Sequence, residues 1–278
     1  MIAIPNLADV DVRVDPRTAE LVLGEEFVAE ELRVRMLAEA RDVYLRPSRQ
    51  APPLYHMLNG ITPRFQPEPG SALRFELTSL RGGTVGAERV KTIGHVHDQA
   101  PDGLGYPEAY EVLTGRALFL LFRVPDAMAE AGPERAAPSL CVLVEGEPGE
   151  QLLIPPGWHH LTINLGVEAM VFADIVARAV VPDYSLLRSR AGAPLFIGPD
   201  GMWRNPRFDS GFVVRLRCSE LEQGAGAGLA AAFFRDRRSL DYLLEPGRHA
   251  ELWEAFDATV QSRPQERLED LPLAPAQA

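Results

Sequence analysis

GHVHDQAPDGLGYPEAYEVLTG, residues 94–115, and GEQLLIPPGWHHLTIN, residues 149–164, decide how this chain reads. His95 and His97 are two apart, so on an extended strand both imidazoles leave the same face. Glu108 follows in the first stretch and His160 in the second. Three imidazoles and a carboxylate are borderline donors that suit Fe(II), Mn(II), Ni(II) or Zn(II). Four protein ligands on a six-coordinate ion leave two positions open, which suits a substrate that chelates through adjacent oxygens. A lone HxH carries little weight; the turns around this one give it meaning. Gly115 ends one strand run, and Pro155-Pro156-Gly157 forms a tight turn between LLI and LTI strand runs. Those strands carry His160 back toward the HxH pair.

Strand faces separate the competing residues. Glu108 and Tyr110 share a face and Glu111 points the other way, so Glu108 is the favoured carboxylate. His159 should oppose His160, which makes it the lesser ligand. His56 reads as a hydrogen-bonded strand histidine, with a proton carrier at the cavity edge as its alternative. Trp158 reads as packing. Lys91, Arg81 and Arg89 are placed to attract an anion but read more simply as solvated faces.

The chain has 278 residues, a net charge of −11 and two cysteines, Cys141 and Cys218. Its length allows one substantial core with appendages. The acidic balance argues against nonspecific contact with nucleic acid or an anionic membrane. Two cysteines make neither a disulfide framework nor a CxxC zinc site. The opening MIAIPNLADVDVRVD lacks a signal-like apolar run, and Ala117 to Phe122 is too short to span a bilayer. A cytoplasmic protein is expected.

Residues 10–23 suggest short strands around a turn at Asp15-Pro16. Val28, Leu32, Met36 and Ala40 recur every fourth residue, which predicts a helix over 25–41. From about 54 to 182, closely spaced strands are expected at 73–80, 90–97, 109–113, 117–124, 140–145, 151–154, 160–165 and 169–177. That density fits an all-β sandwich or barrel. DAMAEAGPERAA reads as a surface excursion between two strands. FVVRLR is a last strand, and GAGAGLAAA reads as a joint with no dinucleotide-binding frame around it. Helices are expected at 237–244 and 249–261, with Leu252, Phe256 and Val260 as a packing stripe. The stretch from Pro264 is expected to fray.

The paired stretches resemble the two motifs of the cupin superfamily, which implies a double-stranded β-helix, the jelly-roll barrel. KTIGHVH, PEAYEVLTGRALFLL, IPPGWHHLTIN and PDYS are similar to the cupin-type glucose-6-phosphate isomerases of archaea and some bacteria. The likeness covers roughly residues 70–185. It divides the chain into N-terminal strands and helix (1–53), a metal-binding cupin domain (54–185) and a C-terminal extension (186–278). It implies one divalent metal per chain, Fe(II) first, on His95, His97, Glu108 and His160. It also implies a sugar phosphate held by Thr78, Thr92, Gly94 and Tyr184, catalysis involving Glu108 and Tyr110, and a homodimer. Two substrate-side positions depart from the family: Val176 stands for a tyrosine and Pro182 for a histidine, and the 97–108 loop is long. The expected reaction interconverts glucose 6-phosphate and fructose 6-phosphate, by proton transfer or by hydride shift. The alternatives are a cupin Fe(II) dioxygenase and a non-catalytic sugar-binding cupin.

Overall fold

The computed structural model describes residues 1–5, 7, 10–47, 49–50, 52–65, 71–124, 140–221 and 228–274. Its strands build two main sheets. The six-stranded sheet runs, in spatial order, Gln151–Ile154, Glu108–Thr114, Met170–Ala177, Leu73–Leu80, Pro53–Asn59, Glu31–Met36. The five-stranded sheet runs His159–Asn164, Ala117–Arg123, Leu140–Gly146, Phe212–Arg217, Glu266–Arg267. All pairings are antiparallel except Leu140–Gly146 with Phe212–Arg217. Inner side chains of both sheets share one apolar cluster; Tyr110 of one stands 5.5 Å, ring to ring, from Phe119 of the other.

Alternation along each strand explains what lies on the two faces of the six-stranded sheet. In Leu73–Leu80, the side chains of Leu73, Phe75 and Leu77 enter an outer apolar cluster, while Arg74, Glu76 and Thr78 line an inner cavity. Met170–Ala177 repeats this, with Val171, Ala173 and Ile175 outward and Phe172, Asp174 and Val176 inward. The outer apolar face is covered from both ends of the chain. Val12, Val14 and Leu21 come from the paired strands Val12–Val14 and Leu21–Leu23; Phe233, Leu240 and Trp253 come from the C-terminal helical turns. Between those two strands, the Asp15 side chain accepts hydrogen bonds from the Arg17 and Thr18 N–H groups, forming the expected turn.

The helix expected over 25–41 is corrected. Phe27–Val28 and Glu31–Met36 are strands, and only Leu37–Ala40 is α-helical. A repeat of four is also a multiple of two, so Val28, Leu32 and Met36 share one face of a strand as readily as one of a helix. Pairing with Pro53–Asn59 decides between them. The strand expected at 90–97 shrinks to Val96–His97, with isolated bridges Lys91↔Ile163 and His95↔His160. Lys91 is no solvated face: it is 2% exposed and ion-paired with buried Glu88. Residues 264–274 do not fray, since Glu266–Arg267 joins the sheet and Leu268 is fully buried.

The other seven expected strands from 73 to 177 form within a residue or two, as does Phe212–Arg217. Ala250–Gln261 is helical, with Phe256 and Val260 buried, and Arg237–Leu243 is a 3₁₀ helix. Leu229–Arg235 is an α-helix at the end of GAGAGLAAA. The excursion at 125–138, the glycines of 222–227 and the last four residues lie outside the described residues.

Candidate active site

A single cavity of about 260 Å³ opens between the sheets and is lined by His95, His97, Glu108, Tyr110, His160, Thr78, Thr92, Gly94 and Tyr184. These are all the residues singled out in the sequence for metal, substrate or catalysis. The volume is below the usual range of about 300–1,000 Å³ for drug-sized ligands, and suits a small metabolite.

His95, His97, Glu108 and His160 each offer one ligand atom, and these atoms lie within 4.8 Å of one another. His95 Nε2 and His97 Nε2 are 3.0 Å apart, as are His160 Nε2 and Glu108 Oε2; His97 Nε2 is 3.4 Å from the same oxygen. The backbone fixes two of the rings. His97 Nδ1 lies 3.0 Å from the Tyr106 carbonyl oxygen, and His160 Nδ1 lies 3.1 Å from that of Trp158. A carbonyl only accepts, so Nδ1 carries the proton and a neutral ring presents a bare Nε2. Bare nitrogens therefore converge with a carboxylate oxygen, an arrangement that calls for a cation. The spacings fit one. Two ligands about 2.1 Å from an ion and at right angles lie about 3.0 Å apart.

The charge states agree. Burial lowers His97 to about 4, against the pull of Glu108, and takes His95 well below its ordinary value, with His160 and His97 adding to the fall. Burial would raise Glu108, but its contact with His160 and the nearby His97 and His95 outweigh that and hold it at about 2. At neutral pH His95 and His97 are unprotonated rings beside a carboxylate, the form that metal binding requires.

Around the cluster, the Tyr184 ring stands 5.5 Å from His95, and the Tyr110 ring 6.1 Å from His160. Gly94 has φ +82°, and a Cβ there would lie 2.8 Å from Leu187 and 2.9 Å from Leu161, so only glycine fits. Thr92 Oγ1 accepts a hydrogen bond from the Thr162 N–H at 3.0 Å, which leaves its own proton to donate. The rejected candidates point elsewhere. Glu111 turns outward and accepts from the Leu229 N–H; the His159 ring stacks on Phe122 at 4.8 Å. His56 is half-buried, and its neighbours Tyr55 and Met57 line the cavity in its place. Trp158 is buried, packed on Phe256 and under the Arg123 guanidinium.

A model of the glucose-6-phosphate isomerase family matches residues 37–212. The glucose-6-phosphate isomerase of Thermococcus gammatolerans is 32% identical over 146 residues, 51% of this chain and 68% of that one. Those of Pyrococcus abyssi and Pyrococcus furiosus are 31% and 30% identical, spanning 69% and 68% of their lengths. This chain belongs to the glucose-6-phosphate isomerase family. Among solved structures, oxalate decarboxylase from Bacillus subtilis shows a partial likeness: TM-score 0.31 and 15% identity, over 52% of this chain and 30% of that one.

The four convergent residues were open in the sequence, but part of the cavity was not anticipated from it. Arg33, Arg35, Arg74, Glu76 and Asp174 also line it. Arg35 is 7% exposed, bonds Glu39 through one terminal nitrogen, and has no partner for its Nε. Burial raises Asp174 well above its ordinary value, with Glu76 and Glu108 adding to the rise. The signal was present in the charges of ELRVRM, LRFELTSL and MVFADIVA, which within each strand fall on a single face. Reading 25–41 as a helix hid the first of them.

Proposed function

We propose that this protein is a metal-dependent isomerase interconverting glucose 6-phosphate and fructose 6-phosphate, built on the cupin double-stranded β-helix. The observation that carries the reading is the family match together with the four convergent ligand atoms, which lie within 4.8 Å of one another at the inner end of the cavity. His95, His97, Glu108 and His160 would hold one divalent ion, Fe(II) first among Fe(II), Mn(II), Ni(II) and Zn(II). Such an ion supplies Lewis acidity, polarising a carbonyl oxygen at the sugar's C1–C2 end.

The chain's own residues do the rest. Tyr110, raised by burial and by its neighbours Glu108 and Asp174, keeps its phenol proton and orients or protonates a sugar oxygen. Glu108 is the carboxylate nearest the reacting carbons and is the candidate base where proton transfer operates. Thr78, Thr92 and the Gly94 backbone bind the phosphate, and Tyr184 closes the substrate side. Val176 and Pro182 also line the cavity, so this pocket lacks two polar groups of the family and relies on others.

Neither the family match nor the cavity favours the dioxygenase or the non-catalytic reading. No helix among the described residues is long and apolar enough to cross a membrane; a cytoplasmic glycolytic or gluconeogenic role goes with the isomerase reading. A homodimer goes with it too. Glu31–Met36 is an edge strand with Leu32 62% exposed, and covering that edge is the natural use of a second subunit. Light scattering at micromolar concentration should give twice the chain mass, and a monomer would remove the dimer from the proposal. The activity is tested by loading the protein with Fe(II) without oxygen and supplying fructose 6-phosphate. Glucose 6-phosphate should form, and chelator should stop it. No interconversion with any of the four metals would overturn the isomerase reading.

A further inference from the structure

Pairing registers divide the inner face of the six-stranded sheet into rows. Glu108 lies opposite Val176, and Val176 opposite Arg74, giving the row at the metal-ligand cluster. One same-face step away, about 7 Å along the strands, Tyr110, Asp174 and Glu76 stand side by side. A further step brings Val112, Phe172 and Thr78 into line, with Met57 and Arg33 continuing that row. The cavity is thus graded. Metal ligands occupy one end with Arg74 beside them, the Thr78 hydroxyl and the Arg33 guanidinium the other, and two carboxylates the ground between.

Those two carboxylates are costly. Like charges directly opposite each other on neighbouring strands are destabilising, and Asp174 is 4% exposed in an otherwise apolar strand. Neither carboxylate belongs to the ligand cluster. Each can accept about four hydrogen bonds. Arg74 Nε lies 3.0 Å from Glu76 Oε1 as an ion pair without hydrogen-bond geometry, which leaves that buried oxygen with no hydrogen-bond partner, and Asp174 meets the Glu108 side chain. Both face the cavity, Glu76 with a buried Oε1 still open to a donor. Sugar hydroxyls, which both donate and accept, suit carboxyl oxygens in such a place.

We propose that Glu76 and Asp174 are specificity-determining residues that accept hydrogen bonds from the C3 and C4 hydroxyls of an open-chain hexose phosphate. The assignment rests on the isomerase reading, which sets C1 and C2 at the metal ligands and the phosphate toward Thr78. C3 and C4 then fall over the carboxylate row. The pair also offers a reason why the pocket works without polar groups at Val176 and Pro182: its substrate contacts come from the neighbouring strand positions instead.

The test compares binding of three ligands by calorimetry: glucitol 6-phosphate, which is open-chain and cannot isomerise, and its 3-deoxy and 4-deoxy analogues. A hydrogen bond is worth about 0.5–1.5 kcal/mol, so the native protein should bind at least one deoxy analogue about 3–10-fold more weakly than the parent. In Asp174→Asn or Glu76→Gln that ratio should fall several-fold, and in Asp174→Ala it should approach one. A general loosening of the pocket weakens parent and analogue alike and leaves the ratio unchanged, so a ratio preserved in all three variants overturns the proposal. Equal binding of all three ligands to the native protein overturns it as well. A second equivalent of divalent metal bound by native protein and lost in Asp174→Ala would make the pair a cation site instead. Turnover of fructose 6-phosphate by the native protein is read separately. Activity with an unchanged ratio refutes only the role of this pair; a lost ratio without activity refutes the isomerase reading and leaves the hydroxyl contacts standing.

Discussion

At His160 the direction of a single side chain can be read from its surroundings. Pro155-Pro156-Gly157 turns the chain, and the alternation of the strand that follows sends His160 inward and His159 onto Phe122. His160→Ala should therefore lose most of the bound metal in elemental analysis of protein purified without chelators, while His159→Ala should keep it. Equal metal in both variants would refute the ligand assignment. Lys91 was not legible in the same way, because nothing local announces that its partner Glu88 is buried with it. Glu76 gives the pH prediction. Burial raises it from 4.5 to about 7 despite Arg74, with Glu108 and Glu31 adding to the rise. Between those values the folded chain holds a proton that the unfolded chain has released. The resulting stability is fully present below about 4.5 and is lost as pH climbs through 7. Glu76→Gln does not titrate. Urea unfolding at pH 5 and pH 8 should show the difference between variant and native protein shifting by on the order of 2 kcal/mol in the variant's favour. A pH-independent difference would mean that Glu76 does not carry this proton.

Among the elements, strands were legible wherever apolar runs ended at glycine or proline turns. They were illegible where one spacing served two periods. Glu31–Met36 is the clearest case: its every-fourth apolar residues suit helix and strand alike, and only the partner strand Pro53–Asn59 settles the matter. That misreading had a functional cost, since Arg33 and Arg35 reach the cavity only from a strand. The segment 90–97 shows the converse. Its residues read as one strand, but Gly94 breaks it with a positive φ and re-aims the chain so that His95 meets His160. Gly94→Ala forces a Cβ against Leu187 and Leu161 in a conformation that L-residues rarely adopt. It should cost about 1–3 kcal/mol in urea unfolding and weaken metal binding together with stability, because the displaced backbone carries His95. Unchanged metal affinity would show that the break and the ligand are independent.

In the whole molecule the inner polar cavity and the outer apolar face are consequences of one another. A strand that sends Arg74, Glu76 and Thr78 inward sends Leu73, Phe75 and Leu77 outward, and those apolar side chains must be covered. The sequence showed the inward half, through its motifs, but gave no local sign of what would cover the outward half. The C-terminal segment does much of it. Phe75 packs against Phe233 and Phe234 at ring separations of 5.6 and 5.3 Å, and Trp253 caps the same cluster. On the other sheet, Phe256 holds Trp158, whose carbonyl fixes His160. Fully burying one large apolar side chain contributes about 1.5–3 kcal/mol, so Phe233, Leu240, Trp253 and Phe256 together contribute about 6–12 kcal/mol. That is comparable to the whole stability of a typical domain, about 5–15 kcal/mol. Removing residues 219–278 should accordingly leave a chain that is insoluble or lacks cooperative unfolding, with its near-ultraviolet dichroism lost and metal no longer retained. If the shortened chain instead unfolds cooperatively and binds metal as tightly as the full one, the C-terminal segment is an accessory, and the outer face must be stable without the cover that this packing provides.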